Sequence, residues 1–230
     1  MLHTGELVFC VRFRRWPEAD FFVQPSVAGK GVCHLLNVQN LTLTHQKDLV
    51  NLIENLSFIL KPGERLALIG EEGNGKSTLL REIHARLEER EDLTVFYMPQ
   101  DPGSLLDMDK APLEMLVRMG GKEEQVQNAV ALGSMKFTGE EMNHPCRGLS
   151  GGQKAKLMFL MMAFSGANVL LLDEPTRNLS PLSALVVRAL FAQYPGCIIA
   201  VSHDERLMEE VCTRVLRLTP KGMEENKIRR

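Results

Sequence analysis

Gly70-Glu71-Glu72-Gly73-Asn74-Gly75-Lys76-Ser77 has the residue types and spacing of a loop that binds phosphate. Its glycines let the backbone fold so that successive N–H groups face inward as an anion nest. A helix opening near Lys76 adds the positive end of its dipole. In the G-x-x-x-x-G-K-[ST] pattern the lysine reaches the β- and γ-phosphates of a nucleotide, and the next hydroxyl, here Ser77, ligates Mg²⁺. The pattern carries weight only between a buried strand and a helix. Leu66-Ala67-Leu68-Ile69 before it, and Leu79, Leu80, Ile83 and Leu87 at helical spacing after it, supply both.

A second run, Val169-Leu170-Leu171-Leu172-Asp173-Glu174, reads as a buried strand that ends in two carboxylates. Asp173 is placed to hold Mg²⁺ through water. Glu174, one residue beyond the strand end, is placed to polarise an attacking water. Two acids at a strand end are common by themselves; downstream of a phosphate loop they read as the rest of a site. Leu149-Ser150-Gly151-Gly152-Gln153 opens a helix, with a serine cap and glycines that let the backbone approach a ligand.

The elements that must position these groups follow from periodicity. Leu36–Thr44 alternates apolar and polar side chains as a half-buried strand does, and Leu52–Leu60 repeats the pattern after a polar turn near 46–48. Short apolar runs at 66–69, 94–98, 168–172, 198–201 and 215–218 predict buried strands. Helical spacing predicts helices over 77–90, 153–164, 181–194 and 205–211. Strands alternating with helices imply an α/β fold with a parallel sheet covered on both sides. Residues 103–148 interrupt the alternation and read as an inserted, irregular helical segment, with Met115, Leu116, Val126 and Val130 as its core contacts. Residues 1–34 show no periodicity. They read as an N-terminal extension or a misplaced start, the alternative being a short docking segment.

Composition excludes several classes. Lys and Arg number 27 against 29 Asp and Glu, a net charge of -2, so no basic excess points to nucleic acid. The five cysteines are scattered without a CxxC pair and read as free thiols of a reducing compartment. The most apolar stretch, 157–172, is broken by Ser165, Gly166 and Asn168 and is shorter than the ~20 residues a bilayer needs. The start of the chain lacks the apolar core of a signal peptide. The expectation is a cytoplasmic protein with no direct membrane insertion, held at the inner face of the membrane, if at all, by a partner.

Taken together, the ordered motifs resemble the ATP-binding cassette of the ABC superfamily over residues 35–220. Gly70–Ser77 resembles its Walker A loop, Val169–Asp173 its Walker B strand, and Leu149–Gln153 matches its LSGGQ signature letter for letter. Gln100, in Tyr97-Met98-Pro99-Gln100-Asp101, resembles the Q-loop glutamine that touches Mg²⁺ and the attacking water. His203, in Val201-Ser202-His203-Asp204, resembles the switch histidine that contacts the γ-phosphate. His45 stands where the family usually stacks an aromatic ring on adenine.

The resemblance implies a P-loop NTPase core with an N-terminal antiparallel β subdomain and a small helical subdomain at about 103–165, followed by a tail at 221–230. It also implies ATP and Mg²⁺ as ligands and a site shared by two cassettes. One supplies Gly70, Glu71, Glu72, Gly73, Asn74, Gly75, Lys76, Ser77, Thr78, Gln100, Asp173, Glu174 and His203. The facing one supplies Ser150, Gly151, Gly152 and Gln153. The sequence departs from the family at Ser180, where the loop after Walker B usually ends in aspartate.

Three roles are open. The first is the ATP-binding subunit of a membrane transporter, docked on a permease. The second is a soluble ABC-F-like ATPase acting on the ribosome. Asp173-Glu174-Pro175-Thr176-Arg177-Asn178-Leu179 resembles the Asp-Glu-Pro-Thr-Asn-His-Leu run of those proteins, and the insert between Gln100 and Leu149 is small for a transporter cassette. Against it stand a single cassette and the lack of a charged linker. The third is a non-hydrolysing nucleotide-binding regulator, which the presence of Glu174 disfavours. The second cassette is a copy of this chain or a different one.

Overall fold

A computed structural model describes residues 35–44, 51–118, 120–177, 179–219 and 221–226. His45, the polar turn at 46–48 and residues 1–34 lie outside the described residues. The described chain falls into two compact units, one over 101–166 and one over 35–100 with 167–226.

The larger unit begins with strands β1 (Leu36–Thr44) and β2 (Asn51–Leu60), paired antiparallel from Leu36↔Leu60 to Thr44↔Asn51. The register slips between Val38 and Leu41, where Asn40 adopts φ 51° and its N–H bonds the Ser57 hydroxyl at 3.0 Å, and again between Leu41 and Leu43, where Asn55 of β2 has φ 59°. Asparagine tolerates this left-handed geometry better than other side chains, so the irregularities fall at asparagines.

A six-stranded sheet follows, built from β3 (Arg65–Ile69), β4 (Val95–Met98), β5 (Val169–Asp173), β6 (Cys197–Val201), β7 (Arg214–Thr219) and β8 (Gly222–Asn226), in the order β4-β5-β6-β3-β7-β8. The first five run parallel. Every residue of β5 and β6 is buried, as a central parallel strand requires. Helix α1 (Lys76–Glu88) packs Leu79, Leu80, Ile83 and Leu87, each fully buried, into the same apolar cluster as Leu66, Leu68, Leu171 and Ile199. The β1–β2 pair contributes Val38, Leu43, Leu56 and Leu60 to that cluster.

Strand β8 corrects the sequence reading, which has a tail from 221. Gly222, at φ 126°, turns the chain, and β8 pairs antiparallel with β7 from Thr219↔Gly222 to Val215↔Asn226. Only Met223 of Gly222-Met-Glu-Glu-Asn226 packs on the core, so this edge strand carries almost no apolar alternation to read.

The smaller unit contains α2 (Pro112–Met115), α3 (Lys122–Ser134), α4 (Gly139–Asn143) and α5 (Gly151–Ser165). Leu116 is buried as expected, but Val126 and Val130 are not core contacts: they are 64% and 67% exposed. Positions 126 and 130 share one face of α3, while Asn128 and Leu132, two residues on and so about 200° round the helix, are buried. Asn128 is accommodated there because its amide donates to the Leu116 carbonyl at 3.0 Å. The larger unit is completed by α6 (Pro181–Gln193) and α7 (Glu205–Val211). Among the described residues no helix is long and apolar enough to cross a membrane.

Candidate active site

Parallel register brings the chemistry to one edge of the sheet. Leu68 of β3 pairs with Val201 of β6, and Val201 pairs with Asp173 of β5. The loops that leave those three strands therefore start side by side at their carboxyl ends, the place where open α/β sheets bind ligands. They begin at Gly70, Glu174 and Ser202.

The loop after β3 needs its glycines. Gly70 (φ 147°), Gly73 (φ 77°) and Gly75 (φ 90°) all take the positive φ that residues with a side chain disfavour, and Gly75 precedes the first turn of α1. At Gly70 a side chain would also run into the Asn74 amide and come within 2.6 Å of the Leu218 carbonyl oxygen. Asn74 occupies that space usefully. Its Nδ2 donates to the Leu218 carbonyl at 2.8 Å, tying the loop to β7, and its Oδ1 accepts from Lys76 Nζ at 3.3 Å. Lys76 is only 7% exposed, and its ammonium also donates to the carbonyls of Gly70 at 2.8 Å and Glu71 at 2.6 Å. Desolvation pushes its pKa below the usual lysine value, while the carboxylates of Glu174, Glu72 and Asp173 oppose that shift.

Asp173 is 2% exposed, and its Oδ1 has no hydrogen-bond partner in the protein. Burial raises its pKa; the Ser77 hydroxyl, Arg81 and Lys76 pull it back. A buried carboxylate oxygen without a partner, beside a hydroxyl at the start of a P-loop helix, is a hard-oxygen donor set of the kind Mg²⁺ takes together with nucleotide phosphates. Ser77 and Asp173 therefore fit that ion. No cluster of three or more His, Cys, Asp or Glu able to hold a metal by themselves occurs among the described residues.

Glu174 is held at φ 51°, a conformation that costs about 1–2 kcal/mol for a residue with a side chain. Its N–H continues the ladder to the Val201 carbonyl at 2.9 Å, and its Oε1 lies 3.5 Å from His203 Nε2. Burial raises the Glu174 pKa, and the nearby His203 opposes the rise. Beyond His203, the Asp204 carboxylate caps α7 through Arg206 and Leu207, accepts from the Thr176 hydroxyl at 3.0 Å and pairs with buried Arg188 at 3.4 Å. Sequence reasoning missed Arg188. A lone arginine in an apolar helix carries no local signal for its partners, Asp204 and Glu210.

Gln100 is exposed and is the last residue of the larger unit before 101. In the smaller unit Ser150 is the N-cap of α5, its Oγ accepting from the Gln153 N–H at 3.3 Å, and Gly151 has open space where a side chain would be. The structure thus gathers Gly70–Ser77, Asp173, Glu174 and His203 within the larger unit and holds Ser150–Gln153 in the other. Ser180, at the departure from the family pattern, is the N-cap of α6: its Oγ accepts from the Ser183 N–H at 3.3 Å, with Pro181 at the first helical position.

A P-loop on the central strand of a parallel sheet, an acidic strand end beside it and an antiparallel β pair define an ATP-binding cassette. Residues 53–177 match the ABC transporter family, and this chain belongs to it. It is 33% identical over 83% of its length to YdiF of Bacillus subtilis (strain 168), named for ATP binding, and it covers 30% of that protein. It is 29% identical over 89% of its length to the ABC transporter F family member 5 of Arabidopsis thaliana, again covering 30%. The chain spans about a third of the length of the curated relatives it matches. Its fold resembles that of the ATP-binding cassette MJ0796 in a dimeric post-hydrolysis state bound to ADP and Pi, with a TM-score of 0.71, 19% identity, and coverage of 84% of this chain and 99% of that one.

Proposed function

We propose that this chain binds Mg·ATP and hydrolyses it in a site completed by a second cassette. The observation that carries the reading is the Leu68–Val201–Asp173 register, which puts the phosphate loop, Glu174 and His203 on one edge. Lys76, now on the carbonyls of Gly70 and Glu71, exchanges them for β- and γ-phosphate oxygens. The inward N–H groups of Gly73–Thr78 cradle the same phosphates. Ser77, Asp173 and Gln100 hold Mg²⁺, which when bound neutralises charge on the phosphate oxygens. Glu174 polarises the attacking water as general base, and His203 contacts the γ-phosphate and orients Glu174. Ser150, Gly151 and Gly152 of the facing cassette approach the γ-phosphate at the start of α5, so two helix N-termini bracket it. Two-fold, head-to-tail pairing gives two such sites. His45 is the residue assigned to the adenine.

Two roles for such an ATPase differ in partner. Similarity to an F family member, and relatives about three times this chain's length, favour the soluble ABC-F-like reading, in which the ribosome is the partner. In the transporter reading a membrane permease is the partner and residues 101–166 form the docking subdomain. Co-sedimentation with ribosomes in the presence of ATP supports the first; co-purification with a polytopic membrane protein supports the second.

The test of the site is Glu174→Gln, with molar mass measured by light scattering with and without Mg·ATP. A shift from monomer to dimer supports the shared site and self-pairing. A chain that binds ATP and stays monomeric requires a different cassette to complete it.

A further inference from the structure

The serine of the signature turn is held by a carboxylate that lies outside the motif. Glu141 sits in the first turn of α4, where its Oε2 accepts from the Thr138 N–H at 2.8 Å and the Thr138 hydroxyl accepts from the Glu141 N–H at 3.2 Å, a reciprocal cap. Its other oxygen, Oε1, accepts from Gln153 Nε2 at 2.7 Å. That bond settles which way the Gln153 amide faces. An ionised carboxylate only accepts, so a flipped amide would set oxygen against oxygen. With its NH₂ on Glu141, the amide turns Oε1 to Ser150, where it accepts from the backbone N–H at 2.9 Å and from Oγ at 3.0 Å. The Thr138 N–H first, and the Gln153 amide second, hold the Glu141 carboxyl below its usual range, so it is ionised at neutral pH.

We propose that Glu141 is a positioning residue for the signature serine: through Gln153 it fixes the amide oxygen that holds the Ser150 N–H, placing the hydroxyl so that its proton, which now rests on Gln153 Oε1, turns to the γ-phosphate of a nucleoside triphosphate on the facing cassette. This rests on the shared-site reading above. Glu141 touches no substrate. Its effect is confined to the nucleotide bound by the partner, which separates it from a residue that merely keeps α4 folded.

Two variants of the full chain in the Glu174→Gln background test it. Glu141→Ala breaks both the α4 cap and the lock on Gln153; Thr138→Ala weakens the cap and leaves the lock. The ATP concentration at half-dimerisation is read by light scattering, and ADP affinity of the monomer by calorimetry. Glu141→Ala raises the former about tenfold, the factor for one lost hydrogen bond, with ADP affinity unchanged. Thr138→Ala leaves both near the parent. Equal shifts in the two variants, or none in Glu141→Ala, overturn the proposal. If the parent itself stays monomeric with ATP bound, pairing of this chain with itself fails instead, and the Gln153 side-chain amide resonances decide. Displacement in Glu141→Ala but not in Thr138→Ala supports the lock; unmoved resonances in both overturn it.

Discussion

His203 Nε2 stands 3.5 Å from Glu174 Oε1, although the two residues leave different strands, and Glu174 has a left-handed backbone at φ 51°. The strain fits a position where geometry is set by chemistry rather than by folding. If Glu174 is the base and His203 its orienting partner, the two act as one unit. Glu174→Gln and His203→Ala then each lower kcat about 100-fold or more, with little change in KM for ATP, and the double variant loses little beyond the worse single one. Phosphate-release kinetics on the three variants check this; additive losses refute the unit.

The phosphate loop predicts a contrast between two glycines. Gly70→Ala forces a side chain toward the Leu218 carbonyl oxygen and the Asn74 amide at φ 147°. It is expected to cost about 2–3 kcal/mol and to weaken ATP binding, because Asn74 must leave its bond to β7. Gly151→Ala meets open space and is expected to unfold within about 1 °C of the parent. Urea and thermal melts of both variants read the difference.

The strands and helices around the P-loop were legible because each carries its own period: Leu66–Ile69 and Val169–Leu172 are unbroken apolar runs, and Leu79, Leu80, Ile83 and Leu87 recur at helical spacing. Ser150 as a helix cap was legible for a similarly local reason. What could not be read depends on distant partners. Val126 and Val130 look like a helix core stripe, yet the buried face of α3 is set by Asn128 and Leu132, whose polar member needs the Leu116 carbonyl to be tolerated. Strand β8 exists because β7 offers an edge, and only Met223 signals it. The bonds of Asn74 to Leu218 and of Glu141 to Gln153 join segments with no shared pattern.

Alkaline pH should unfold the protein through its buried thiols. Burial pushes Cys197 and Cys212 each up to about 12. In the unfolded chain a thiol ionises near ~8.5. A raised folded pKa contributes stability that is complete below the unfolded value and is lost as pH rises through the folded one. Between pH ~8.5 and about 12, stability therefore falls by about 1.4 kcal/mol per pH unit for each thiol. Urea midpoints across this range should fall less steeply in Cys197→Ala and Cys212→Ala than in the parent. At pH 8 iodoacetamide should label neither residue until the protein is denatured.

Ser180 predicts that the departure in this loop is neutral for folding. Its hydroxyl caps α6 through the Ser183 N–H, and aspartate is an equally good cap whose charge suits a helix N-terminus. Ser180→Asp is therefore expected to hold or slightly raise stability, while Ser180→Ala loses about 1 kcal/mol. In a chain of this size that loss lowers Tm by about 2–4 °C. The hydroxyl of Ser180 also meets the Ser183 hydroxyl at 2.9 Å, so Ser183→Ala should weaken the cap only slightly, because the backbone N–H donor remains. Equal melting temperatures for the parent and Ser180→Ala would show that α6 does not depend on this cap. A rise in ATPase rate with Ser180→Asp at unchanged stability would place the role of position 180 in communication between paired sites rather than in the helix.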